Sequence, residues 1–139
     1  QRGNRAMEEL TPDDLAEVER VAREYTAAFR TSHAARALDV VKLPVVDCVD
    51  LGRRAGVFVM QEDEFAEHVR HHHEEDFHTD PYTLSVSSLG KNAAMAYFKA
   101  KLSKDSGETG ETEWVTFLAR TENGWKVWAN WLGPVPEGF

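Results

Sequence analysis

Basic charge and cysteine are the two things this sequence is short of. Sixteen lysines and arginines stand against 24 aspartates and glutamates, a formal net charge of −8. A protein that grips a phosphate backbone needs a basic face to release counterions, so nucleic acid is excluded as a partner. Anionic membrane surfaces are disfavoured for the same reason. Cys48 is the single cysteine, which excludes an internal disulfide and every cysteine-based zinc motif. No apolar run approaches the roughly 20 residues of a membrane-spanning helix, so a soluble domain is expected. A glycine-rich phosphate loop is missing too, and no cofactor is expected. The chain begins at Gln1 rather than methionine. The cytoplasm is favoured as compartment, and export is expected if a signal peptide preceded Gln1.

What is present is an ordinary globular balance. Of 139 residues, 42% are hydrophobic and 29% charged, enough apolar material for one core and too much for a disordered chain. Residues 1–10 read as a flexible lead-in and residues 11–139 as a single α+β domain. "TPDDL" at 11–15 is a helix start: Thr11 caps, Pro12 takes the first turn, and Asp13 and Asp14 sit at the positive end of the dipole. Leu15, Val18, Val21, Ala22, Tyr25, Ala28 and Phe29 then trace one apolar stripe. A short second helix follows Ser32.

The period changes at "KLPVVDCVDLGRRAGVFVM", which predicts two strands turning near Gly52, with Pro44 at the strand entrance. "QEDEFAEHVRHHHEEDF" returns to a helical period. Four antiparallel strands are expected after it. "KNAAMAYFKAKL" is read as one of them in spite of its helix-favouring composition, because Ala94, Ala96, Phe98, Ala100 and Leu102 share an alternate face. Asn123-Gly124 marks the last hairpin. Strict alternation through that hairpin puts Thr116, Leu118, Val127, Ala129 and Trp131 on one face and Val115, Phe117, Trp128, Asn130 and Leu132 on the other. Both faces are apolar, so both are expected to be covered, one by helices and the other by a second subunit.

This element order, with "EYTAAFRTSHAARAL" near the front and "FLARTENGWKVWANW" near the end, resembles the nuclear transport factor 2-like superfamily. Within it the chain is most similar to SnoaL-type polyketide cyclase and ketosteroid isomerase relatives, over about residues 12–133. The resemblance implies a cone-shaped, cystatin-like α+β fold in which a curved antiparallel sheet wraps around three helices. It also implies an apolar pocket between sheet and helices and a homodimer formed through the sheet. The scaffold hosts isomerases, cyclases, dehydratases and modules that only bind, so activity does not follow from the fold.

The resemblance places Tyr25 where the pocket tyrosine of such enzymes stands and Asp47 where their base stands. A tyrosine in mid-stripe must satisfy its hydroxyl either on a buried partner or at a cavity. Asp47 alternates with Val45 and Val49 and so shares their apolar face, where desolvation would raise its pKa toward the range useful for proton transfer. The competing readings are a carboxylate at a strand end paired with Arg53 or Arg54, or a slip of one residue that selects Cys48. The third member of the isomerase set, a protonated acid, falls on Thr116, which argues against steroid isomerase chemistry of the known type. Trp114, Trp131 and Leu118 share the face of Thr116 and are candidate ligand-lining residues, or plain core.

Five of the six histidines lie within "HVRHHHEEDFH" at 68–78. "HEEDFH" misses the zinc-protease spacing by one residue, and His68 with His72 supplies only two ligands, so no metal site is expected. On a helical wheel Phe65, Ala66, Val69 and Phe77 form the buried stripe. His73 falls inside it as a candidate base or a buried, bonded side chain, His72 falls at its edge, and His68 and His71 flank it on the solvated side. Three functions compete: a domain that binds a small apolar molecule, an isomerase, cyclase or lyase using Asp47 or His73 with Tyr25, and a dimeric interaction module filled by its own tryptophans. The binding domain is favoured.

Overall fold

The structure, a computed structural model, describes residues 10–51, 54–71, 77–78 and 81–133. The elements run α1 (Pro12–Arg30), α2 (Ala34–Asp39), β1 (Val41–Leu51), β2 (Arg54–Met60), α3 (Glu62–Arg70), β3 (Phe77–His78), β4 (Tyr82–Gly90), β5 (Ala93–Lys104), β6 (Thr109–Thr121) and β7 (Gly124–Leu132). The α+β order expected from the sequence is therefore present. Among the described residues no helix is long and apolar enough to cross a membrane.

The start of α1 forms as its residues dictate. Thr11 Oγ1 accepts from the Asp14 amide at 3.1 Å and Asp14 reaches back to the Thr11 amide, a reciprocal cap that satisfies two helix-end donors. Asp14 also binds Arg120 of β6 at 3.0 Å, which ties the helix start to the sheet. The predicted stripe is the buried one: Val18, Val21, Ala22, Tyr25 and Ala28 face inward.

All seven strands join one sheet in the order β2-β1-β7-β6-β5-β3, with β4 also paired to β5. Every pairing is antiparallel except β1 with β7, which is parallel. Pro44 lies inside β1 rather than at its entrance, within the stretch between Val41 and Val46 where the register with β7 shifts. That interruption is where a residue with no N–H is tolerated. The hairpin turns fall where expected, at Lys91–Asn92 and at Glu122–Asn123, and Gly124 takes the positive φ of 94° that follows the second turn.

Two expectations fail. The third helix does not run on to Phe77 but stops at Arg70, with His71 as its cap. Residues 70–76, "RHHHEED", contain no apolar side chain to anchor two further turns, and helix stability in a protein comes mainly from such anchoring. Phe77 instead pairs in β3 with Lys104. The wheel that singled out His73 does not apply beyond residue 70, and His73 itself lies outside the described residues, as do residues 1–9 and 134–139 of the expected domain.

The second failure is the alternation in β7. Phe117 pairs with Ala129 but Leu118 pairs with Val127, so Trp128 is an extra residue opposite a single step of β6. This β-bulge shifts parity within the strand. Beyond it Asn130 and Leu132 join the inner face with Thr116 and Trp114, whereas Ala129 and Trp131 join the outer face with Phe117 and Val115. Trp131 is thus not on the face of Thr116. Trp128 is pushed outward, 41% exposed, against Phe117.

The core lies between the inner sheet face and the helices. Ala94, Ala96, Phe98, Ala100 and Leu102 of β5 all point into it, as their alternation predicts. Phe98 is fully buried and stacks on Trp114 at 4.9 Å with ring planes 7° apart. Phe98→Ala is expected to lower unfolding free energy by about 3–5 kcal/mol, the cost of lost burial plus the remaining cavity, measured by denaturant titration with an unchanged slope.

Candidate functional site

One row of residues crosses the inner face at the level of Asp47. Register partners face the same side of a sheet, and the partners run Phe58 (β2), Asp47 (β1), Asn130 (β7), Thr116 (β6), Ala96 (β5) and Val86 (β4). Polar groups occupy the middle of that row, and apolar residues flank them. One step along the strands lies the row Val49, Leu132, Trp114, Phe98 and Leu84, wholly apolar.

Asp47 is in mid-strand and only 4% exposed. It shares the inner face with Val45 and Val49, while Cys48 is exposed on the other face, so the register selects the aspartate. Asn130 Nδ2 donates to Asp47 Oδ1 at 3.0 Å and to the Tyr25 hydroxyl oxygen at 2.8 Å. Thr116 Oγ1 donates to Asn130 Oδ1 at 2.8 Å. The orientation of the Asn130 amide follows from chemistry, because an ionised carboxylate only accepts and so faces the amide nitrogen. Asp47, Asn130, Thr116 and Tyr25 are all buried, and the buried polar groups satisfy one another as interior groups must.

His68 completes the cluster. Its Nε2 lies 3.6 Å from Asp47 Oδ2, an ion-pair distance when the imidazole is protonated, and its side chain is 30% exposed. The ring rests edge-on against Phe29 at 5.6 Å, and Phe29 contacts Tyr25 at 5.0 Å and Phe65 at 5.8 Å. This corrects the placement of His68 on the solvated side. A single apolar stripe underestimates burial for α3, which touches α1, α2, β1 and β2 together, so a residue beside the stripe is covered as well. His71 behaves as expected, exposed and bonded to Glu67 at 2.6 Å. Likewise His33 is exposed and caps α2 by accepting from the Arg36 amide.

The structure therefore brings Tyr25, Asp47 and Thr116 together and adds Asn130 and His68, which the sequence reading had assigned elsewhere. Trp114 is half-buried in the adjoining row, Leu118 is fully buried in the core, and Trp131 is on the far face. A one-residue bulge is the reason Asn130 was missed: parity carried through the hairpin gives the wrong face. Phe58 was missed as well. It sits opposite Asp47 on the edge strand and is 46% exposed. Among the described residues no three His, Cys, Asp or Glu side chains are grouped to hold a metal ion.

Burial pushes the Tyr25 phenol well above its ordinary value of 10.0, and the charge of Asp47 adds to the rise, while the Asn130 hydrogen bond opposes it. Tyr25 therefore stays a neutral hydroxyl throughout the physiological range. Unfolded chains lose this proton near pH 10, while the folded protein holds it to higher pH, so the stabilisation is full below pH ~10 and is lost above it. Tyr25→Phe is expected to flatten the alkaline fall in melting temperature above pH ~10. Tyr97, whose phenol is also raised by its bond to Glu113, stays in both proteins, so the difference belongs to Tyr25. Equal alkaline slopes would contradict this account.

No protein-family model matches the sequence, and no curated protein matches it. Solved structures do match. A ketosteroid isomerase-like protein from Erwinia carotovora atroseptica superposes with a TM-score of 0.64 at 16% identity, covering 90% of this chain and 98% of that one. A nuclear transport factor 2-like protein of unknown function from Pseudomonas putida gives 0.68 at 15% identity, covering 91% and 89%. A protein of unknown function with a cystatin-like fold from Nostoc punctiforme gives 0.70 at 9% identity, covering 95% and 98%. At such identities the likeness concerns backbone architecture, and it agrees with the element order and sheet topology described above. The chain has the cystatin-like fold of the nuclear transport factor 2-like superfamily, shared with ketosteroid isomerase-like proteins.

Proposed function

We propose that the chain binds a small, uncharged, largely apolar molecule bearing one oxygen function and moves a proton on it, an isomerase- or lyase-type reaction that needs no cofactor. The observation that carries this reading is the Asp47 carboxylate, almost wholly removed from water yet within reach of a partly open histidine. A buried carboxylate is costly to keep as a structural group, and here it is surrounded by groups suited to acid–base work. In this reading Asp47 takes a proton from carbon beside a carbonyl. Tyr25 donates to the oxygen where charge develops, and among the described residues its hydroxyl makes one bond only, the one it accepts from Asn130. His68, reaching toward solvent, exchanges the proton with Asp47. Net charge −8 disfavours an anionic substrate.

Thr116 does not serve as an oxyanion donor in this scheme, since its hydroxyl proton is directed to Asn130. That departs from the trio of ketosteroid isomerases and favours other enolisable ketones or dehydration substrates over steroids. The half-exposed Phe58, with Val49, Leu132 and Trp114 beyond Asp47, supplies the apolar walls. A second copy covers the outer sheet face, where Val57 and Val59 are 66% and 55% exposed beside Trp128.

Two probes test the site. 2-Naphthol should bind with a change in its fluorescence, and Phe58→Ala should weaken that binding about tenfold, the loss of part of one aromatic contact. With 2-tetralone in deuterated water, the protein should accelerate exchange of the protons beside the carbonyl. Asp47→Asn should reduce the acceleration by about 10² or more and Tyr25→Phe by about 10-fold or more. Binding without any exchange would leave a ligand-binding domain and end the catalytic reading; absence of both would leave a cone filled by its own side chains. For the outer face, light scattering should give a dimer, and a monomer at high concentration would remove the role assigned to that surface.

A further inference from the structure

We propose that Thr116 is a positioning residue whose hydroxyl locks the Asn130 amide in one orientation, so that Asp47 is held from one side and the Tyr25 proton is left for a ligand. The inference rests on the Asp47 site described above, but its test reads no turnover, so the two can fail separately.

The geometry carries the inference. A side-chain amide has two orientations related by a half-turn, nearly equal in shape and opposite in polarity. In one, Nδ2 faces Asp47 and Tyr25 and Oδ1 faces Thr116, with contacts of 3.0, 2.8 and 2.8 Å. In the other, the amide oxygen would meet the Asp47 carboxylate at about the same spacing, and two acceptors would repel. Thr116 selects between them because its hydroxyl proton needs an acceptor in this buried place, and Oδ1 is the one it uses. The titratable groups facing Asp47 among the described residues are Tyr25 from α1 and His68 from α3. One is neutral and the other sits on the far carboxylate oxygen, so neither orients the amide.

Consequences reach both functional groups. With Nδ2 donating to the Tyr25 oxygen, the tyrosine cannot spend its own proton on Asn130, and that proton stays directed elsewhere. With the second Nδ2 proton on Oδ1 of Asp47, the carboxylate plane is fixed and Oδ2 is turned to the side of His68. Thr116 touches neither group, so its effect passes through Asn130 alone. The bulge at Trp128 makes the arrangement possible by bringing Asn130 opposite Thr116 across β6 and β7.

The test compares Thr116→Val, which keeps the shape and removes the hydroxyl, with Thr116→Ser, which restores it. Nuclear magnetic resonance on the folded proteins reads the side-chain amide protons of Asn130. In the unaltered chain and in Thr116→Ser they should form one set, slow to exchange and in contact with the Tyr25 ring. In Thr116→Val their exchange should quicken on the order of tenfold, the factor one lost hydrogen bond of this kind is worth, with loss of the single orientation. Unchanged amide signals in Thr116→Val would overturn the proposal, as would Thr116→Ser behaving like Thr116→Val. Should Thr116→Val not fold, the unaltered protein decides. A slowly exchanging Thr116 hydroxyl beside Asn130 supports the lock, and an amide averaged between two orientations refutes it.

Discussion

A carboxylate without bulk water must be held by donors, and in this protein one amide does most of the holding. Asn130 joins Asp47 of β1, Tyr25 of α1 and Thr116 of β6 while itself sitting in β7. Four elements distant in sequence thus share one small polar network inside an apolar cone. Such networks are stable only when every member is satisfied, because a half-satisfied one costs more than an apolar core. The demand reaches outward from there. Asn130 has to point inward, β1 has to run beside β7 in parallel, and α1 has to lay Tyr25 over the junction.

The bulge at Trp128 is the structural device that meets the first of these demands. Without the extra residue, Asn130 would face outward and Asp47 would lose its donor. With it, an amide enters the core and an aromatic side chain leaves it, so the polar centre inside and the apolar patch outside arise from one irregularity. Bulges re-aim side chains in this way near functional sites in other sheets. His68 reaches the same place by a different route. Helix α3 is wedged between the other helices and the edge of the sheet, and Phe29 gives the imidazole an apolar wall to lean on.

Much of the fold was legible in the chain because it depends on local rules. Thr11-Pro12-Asp13-Asp14 starts a helix wherever it stands, Asn123-Gly124 turns a hairpin, and alternating Ala94, Ala96, Phe98, Ala100 and Leu102 outweighs their helix propensity once one face is buried. Tyr25 and Asp47 were also within reach, the first from its place in the stripe and the second from alternation with Val45 and Val49. The third helix was read too long because periodicity alone gives no credit to the lack of anchors between Arg70 and Phe77.

What the sequence by itself determined is the acidic, cysteine-poor α+β chain, its helix starts and turns, and which strand faces are apolar, since these follow from neighbours a few residues apart. Only the tertiary structure decided that Asn130 rather than Trp131 faces Asp47, and that His68 approaches it. Register across β6 and β7 and the wedging of α3 are set by contacts between residues dozens of positions apart, and no local pattern encodes a shift of one residue between two such strands.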